Sequence, residues 1–246
     1  MEKIKTVTIN NIKYIIKNKN DIIQSTLLSG NQWNNLIVLL IGSWIKKFNL
    51  KHFLNVGSHI GTVALPISKY IDNVTTIEAF PPTYNHLIEN IEINKIKNIV
   101  SFNLALGNEE NKVYFFDINN ERIKNNLGGM HAITENDIKK NHLSSHLHNK
   151  EYKNDMKKLD QLPIENFDIM LIDVEGREFD VIKGGIKKIS KFKPIIIIEI
   201  WENFKRKQEN MDTTSEEIVE FILNLNYKLV KKLNDNFIFF PKNLNI

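Results

Sequence analysis

The run Asn55-Val56-Gly57-Ser58-His59-Ile60-Gly61, with Glu78 closing the next apolar run, limits what this chain can fold into more than any other feature. Phe53-Leu54-Asn55-Val56 has the length of a buried strand, Gly57 and Gly61 permit a sharp turn against a ligand, and Thr62 to Tyr70 carries apolar residues at helical spacing. Val74-Thr75-Thr76-Ile77 then leads into Glu78, 17 residues after Gly61. Strand, glycine turn, helix and strand-end acid form an adenosine-binding unit in which the carboxylate accepts both ribose hydroxyls. A plainer reading also fits: a tight strand-to-helix turn followed by a solvated strand end.

The glycine spacing discriminates between adenosine ligands. A dinucleotide fingerprint needs G-x-G-x-x-G so that a pyrophosphate reaches the helix N-terminus. Here the glycines stand as G-x-x-x-G with Ser58 and His59 inside. S-adenosylmethionine (SAM) carries no phosphate and needs only a glycine-lined wall for its methionine part and an acid for its ribose, so the turn favours SAM.

A chain of 246 residues with 42% apolar content can bury one sizeable core. The reading divides it into an N-terminal hairpin and helix cap over 1–50 and a SAM-binding domain over 51–246, with a substrate-loop insertion at about 107–160. The absence of cysteine excludes disulfides, thiolate nucleophiles and zinc-thiolate sites. The formal charge is +4, yet only Arg122, Arg177 and Arg206 of the 33 basic residues are arginine. Guanine and phosphate forks call for arginine, so nucleic acid is not an expected partner. Lys139 to Lys158, with six lysines, is a local exception able to attract an anionic substrate. The longest apolar stretch, Leu36 to Ile41, is too short to cross a bilayer and no cleavable leader precedes it. A soluble cytoplasmic protein with no membrane partner is the expectation.

Thr6 to Ile9 and Ile12 to Ile16 flank Asn10-Asn11 as a hairpin. Asn31 is placed to cap a helix from Gln32 to Phe48, whose Trp33, Leu36, Ile37, Leu40, Ile41 and Trp44 form a core stripe. Exposed faces of Trp33 or Trp44 would support a homodimer. Strands and helices then alternate: a strand to Val56, a helix to Tyr70, a strand to Glu78, a helix from Pro82 to Asn94 and a strand from Ile99 to Leu104. Lys112 to Phe116 suggests an extra strand, whereas Asn119 to Lys158 is polar and reads as an irregular lid or substrate loop. Alternation resumes with Phe167 to Asp173, a helix near Phe179, Pro194 to Ile200, a helix from Thr214 to Leu225, and paired strands Tyr227 to Lys231 and Asn236 to Phe240. The expected fold is α/β, a class I Rossmann-like arrangement with a mostly parallel seven-stranded sheet and a C-terminal antiparallel hairpin.

Seven motifs carry a resemblance. Asn55 to Gly61, Ile77-Glu78-Ala79-Phe80-Pro81, Asn90 to Asn94, Ala105-Leu106-Gly107, Ile172-Asp173-Val174-Glu175-Gly176, Val181-Ile182-Lys183-Gly184-Gly185 and Pro194 to Glu199 together resemble the FkbM family of methyltransferases over roughly residues 52 to 202. The resemblance implies methyl transfer from SAM to oxygen, often on a sugar or polyketide hydroxyl. It implies cofactor contacts from Asn55, Gly57, Ser58, His59, Gly61, Glu78, Ala79, Ala105 and Asp173. The chain departs from the family at two points: Asn55 stands where aspartate is usual, and Ser58-His59 where a small residue and asparagine are usual.

Open α/β sheets bind ligands outside the carboxyl ends of their strands, where Asn55, Glu78, Asp173 and Glu199 all fall. Methyl transfer requires a positioned acceptor and a group to take its proton. Asp173 is the first candidate, with Glu175 two residues on and Glu199 as a third acid. Paired acids can raise one another's pKa toward a general base, or Asp173 and Glu199 can ligate Mg²⁺. The plainer account has Glu175-Gly176 shaping a turn, and Glu178 with Asp180 favouring a helix N-terminus. His59 and His131 are alternative bases, and His142 with His146 has i, i+4 spacing for a metal beside His148, although a solvated loop carrying several histidines is the more frequent source of such a cluster. The leading reading is an O-methyltransferase acting on a small-molecule or glycan acceptor. The alternatives are RNA ribose 2′-O-methylation, disfavoured because Lys191 and Lys193 start the strand that Glu199 ends, and a non-catalytic SAM-fold binding module, for which Asn55 speaks.

Overall fold

A computed structural model describes residues 5–115, 125–140 and 152–244. Lys5–Ile9 (β1) and Ile12–Ile16 (β2) form the expected hairpin, turning on Asn10 and Asn11, both at positive φ. Two helices follow, Ile22–Leu28 (α1) and Asn35–Phe48 (α2). The first was not anticipated, and the second starts later than expected because Asn34 sits in the left-handed region at φ 54°. Asp21 caps α1 by accepting from Ile23 and Gln24 amides.

The βα alternation then unfolds: His52–Val56 (β3), Ala64–Ile67 (α3), Asn73–Ile77 (β4), Pro81–Ile93 (α4) and Ile99–Phe102 (β5). The helix expected through Tyr70 contains Pro66, which lacks an N–H, and only α3 is regular α-helix. Ala105–Leu106 (β6), Asn111–Tyr114 (β7), Ile133–Thr134 (β8) and Lys153–Lys157 (β9) make a small second sheet in the order β6-β9-β7-β8, with Glu135–Lys140 (α5) after β8. This corrects the expectation of an irregular segment to Lys158. Of β9 only Met156 is buried, so its sequence carries no period-two apolar signal. The cluster His142, His146 and His148 lies outside the described residues.

Ile169–Ile172 (β10), Glu178–Gly184 (α6), Ile186–Phe192 (α7), Ile195–Glu199 (β11), Asn203–Gln208 (α8), Ser215–Asn224 (α9), Tyr227–Leu233 (β12) and Asn236–Pro241 (β13) complete the chain. The main sheet runs β12-β13-β11-β10-β3-β4-β5, with β3, β4, β5, β10 and β11 parallel and β13 antiparallel to β11. The isoleucine-rich β10 and β11 are buried on both faces, as parallel central strands require. One face packs Leu54, Met170, Ile196 and Phe239 against α6 and α9; the other packs Phe53, Leu171, Ile197 and Phe240 beneath α2. β3 lies between β10 and β4, so chain order reverses at its carboxyl end, where such sheets open a ligand crevice.

Trp33 and Trp44 are half-buried, and Trp44 meets Phe240 edge-on at 5.2 Å. Among the described residues no helix is long and apolar enough to cross a membrane.

Candidate functional site

The crevice holds a cavity of about 250 Å³ reached by the ends of β3, β4, β10 and β11. Its floor is the glycine turn after β3. Gly57 and Ser58 amides both donate to the Ile77 carbonyl, at 2.9 and 3.1 Å, and the Gly61 amide returns to Ser58 at 2.9 Å. Gly57 has φ 80°, and a β-carbon there would overlap the Asp173 carbonyl oxygen. The backbone therefore passes so close to the end of β10 that only glycine fits.

Glu78 extends from β4 into this floor. Its Oε2 accepts from the His59 amide at 2.8 Å and its Oε1 from the Phe80 amide at 3.0 Å. The Ala79 amide also bonds this carboxylate, and the acceptor capacity that remains is open to a ligand hydroxyl. Burial pushes the Glu78 pKa up to about 7, against the pull of those amides. Asn55, 1% exposed, lines the same cavity with an Oδ1 that has no hydrogen-bond partner among the described residues. Such an orphan acceptor calls for a donor from a ligand.

Ala79 and Ala105 line the cavity beside Glu78. Ser58 lies on the wall, but its hydroxyl is taken by the Asn55 and Ile77 carbonyls. Gly61 is not on the wall; a β-carbon there would run into Leu65 and Leu87, so it serves packing under the turn. His59, at φ 48°, faces the cavity with both ring nitrogens buried and without hydrogen-bond partners among the described residues. Burial lowers its pKa to about 4.

At the opposite wall Asp173, Glu175 and Glu199 converge, each offering an oxygen within 4.8 Å of the others. Burial and then the Glu199 charge raise the Asp173 pKa well above the usual carboxylate range, and the same two causes lift Glu175 to about 8. Glu175 rides at φ 54° and Gly176 at φ 101° on a tight turn. Glu178 holds that turn: fully buried, its Oε1 accepts from the Gly176 amide at 2.8 Å and the Val174 amide at 3.3 Å. The sequence marked Glu178 only as a helix-start acid. Trp201 Nε1 donates to Glu199 Oε2 at 3.0 Å. His131 stands behind the turn rather than on the cavity wall, edge-on to Trp201 with ring centroids 5.9 Å apart, and burial lowers its pKa. Arg177 reaches the cavity, but its guanidinium is tied to Asp137, Asp180 and the Ala132 carbonyl.

These acids make stability pH-dependent. Glu78 at about 7, Glu175 at about 8 and Glu178 at about 7 each stand above their ordinary 4.5. Above about pH 6.5, where the buried histidines are neutral in both states, and up to about 8 the folded chain holds protons that the unfolded chain has released, so stability falls as pH rises through that window. A thermal melt is expected to show a midpoint higher at about pH 6.5 than at pH 8.5 by on the order of 5 °C or more; a midpoint that rises with pH would contradict the burial of these acids.

The sequence model of the methyltransferase FkbM domain matches residues 55–229, more than half of the chain. A crystal structure of methyltransferase FkbM from Methylobacillus flagellatus superposes with TM-score 0.50 at 14% identity, covering 77% of this chain and 43% of that protein. The present chain thus spans less than half of that protein's length. The methyltransferase of Podospora anserina bound to S-adenosylhomocysteine (TM-score 0.47, 12% identity, 84% and 77% coverage) is also similar. So is the tRNA (uracil-54, C5)-methyltransferase of Pyrococcus abyssi (0.48, 10%, 97% and 44%). No curated protein sequence is significantly similar to the chain. The strand order, the cavity at the switch point and the domain match together place this chain in the FkbM family of SAM-dependent methyltransferases.

Proposed function

We propose that the protein is an O-methyltransferase that methylates a hydroxyl of a sugar, glycan, nucleotide-sugar or other small metabolite. The supporting observation is the meeting, in one cavity, of a cofactor end and an acid-rich acceptor end. SAM fits the first end on three counts: the Gly57 cradle that a β-carbon would fill, the orphan Asn55 Oδ1, and the remaining acceptor capacity of Glu78. When bound, SAM supplies a methyl group already activated on a sulfonium. Glu78 accepts the ribose hydroxyls, Asn55 accepts from the methionine ammonium, and Ala79 and Ala105 flank the adenine.

At the acceptor end Asp173 and Glu175 orient the hydroxyl and one of them takes its proton. Crowded carboxylates suit that role because burial and the neighbouring Glu199 charge raise both, Glu175 to about 8, which makes them better proton acceptors. The spacing of the three oxygens also suits a divalent cation, with Asp173, Glu175 and Glu199 as hard oxygen ligands. RNA ribose methylation is not favoured: Lys193 ends α7, before β11, and donates to the Leu225 carbonyl, at the far end of the strand from Glu199.

The test is transfer of labelled methyl from SAM to a panel of sugars, nucleotide-sugars, polyols, amines and RNA, with and without EDTA. S-adenosylhomocysteine release with an alkali-stable methyl ether is expected. A labelled amine or RNA with no labelled sugar would overturn the reading, and loss of transfer in EDTA, restored by Mg²⁺, would assign a metal to the acids.

A further inference from the structure

The N-terminal segment contributes to the cavity. Ile22 and Ile23 of α1 line it, facing Leu127, Gly128 and Met130 from the loop that follows residue 124. The two pieces are tied at one fully buried residue, Asp21. Its Oδ1 caps α1 through the Ile23 and Gln24 amides at 3.2 and 3.0 Å, while its Oδ2 accepts from the Leu127 amide at 3.1 Å. Beside it the Ile22 amide donates to the Asn125 carbonyl at 3.0 Å. Gly128 packs so tightly that a β-carbon would come within 2.7 Å of Ile23 Cδ1.

A helix of seven residues has little stability of its own, so what fixes it is its surroundings. Those surroundings lead back to the glycine turn. The side chain of Asn90 accepts from the Ile15 amide at 2.8 Å and donates to the Ile60 carbonyl at 2.9 Å, joining the β1–β2 hairpin to the turn. The hairpin, α1 and the Asn125–Met130 loop are therefore coupled on one side of the cofactor end.

Building on the SAM reading above, we infer that Asp21 is a positioning residue that latches the Asn125–Met130 loop against α1 and so closes the wall around bound SAM. A carboxylate suits the task because it has an oxygen for each piece. Asp21→Asn leaves one acceptor oxygen, enough for the α1 cap and not for Leu127. Leu127→Pro removes the same bond from the other side while leaving Asp21 untouched, at a position where a fixed φ near −65° is compatible with the short 3₁₀ turn.

The experiment titrates the full chain and both variants with SAM, and follows amide hydrogen exchange of residues 125–130 with and without SAM. Both variants are expected to bind about tenfold more weakly, and the slowing of loop exchange that SAM causes in the unaltered chain is expected to be lost. A role confined to folding would lower the melting temperature without removing that ligand-dependent protection. Wild-type affinity and protection in both variants would overturn the latch alone. Failure of the unaltered chain to bind SAM would overturn the cofactor reading, and the latch with it.

Discussion

Glu78→Ala is expected to weaken SAM binding by on the order of a hundredfold or more. Glu78 is 9% exposed and follows β4, where the proposed reading sets its carboxylate against the ribose. Two hydrogen bonds to a charged acceptor contribute about 1.5 to 3 kcal/mol each, and about 1.4 kcal/mol is tenfold in affinity. The substitution also strips the His59 and Phe80 amides of their acceptor, which loosens the turn that cradles the ligand. Glu78→Gln keeps one carbonyl oxygen and is expected to lose about tenfold. Calorimetric titration on protein shown to be folded decides the matter: an unchanged dissociation constant for Glu78→Ala would remove the ribose assignment.

Asp173→Asn is expected to keep SAM binding within a fewfold and to lower turnover by about 10² to 10⁴, the range a positioned acid–base group contributes. Asp173 follows β10 at the point where Gly57 passes its carbonyl, so its side chain stands at the boundary between the cofactor and acceptor ends. Asparagine keeps the size and polarity of this side chain but cannot take a proton. Retained SAM binding separates this account from simple disruption, and a variant with full turnover would sink the role of Asp173.

Legibility from sequence followed the strength of local patterning. β10 and β11 were readable because central parallel strands are continuous apolar runs, β3 and β4 because short apolar and β-branched runs lead into the glycine turn and Glu78, and α9 because its Thr214–Glu217 capping box marks its start. The strand-end acids were readable for the same reason: a carboxylate closing an apolar run has few other places to be. α1 escaped although Asp21 and Gln24 stand at cap and third position, because seven residues are too few to show helical periodicity. Of the second sheet only β7 was readable, as the apolar run Lys112 to Phe116; β6 and β8 escaped because they are two residues long, and β9 because only Met156 of it is buried. Glu178 was visible only as a helix-start acid; that its side chain folds back onto the Val174 and Gly176 amides depends on two consecutive left-handed residues that the pair Glu175-Gly176 does not announce. His131 illustrates the converse, since a loop histidine after a glycine pair reads as reactive while its position behind the turn is set by tertiary packing on Trp201.

The central claim is that the cavity at the carboxyl ends of β3 and β4 binds SAM. Isothermal titration of the full chain with SAM, S-adenosylhomocysteine and NAD tests it most directly. Micromolar binding of both sulfur ligands and none of NAD is the expected result; binding of NAD, or of none of the three, would contradict it.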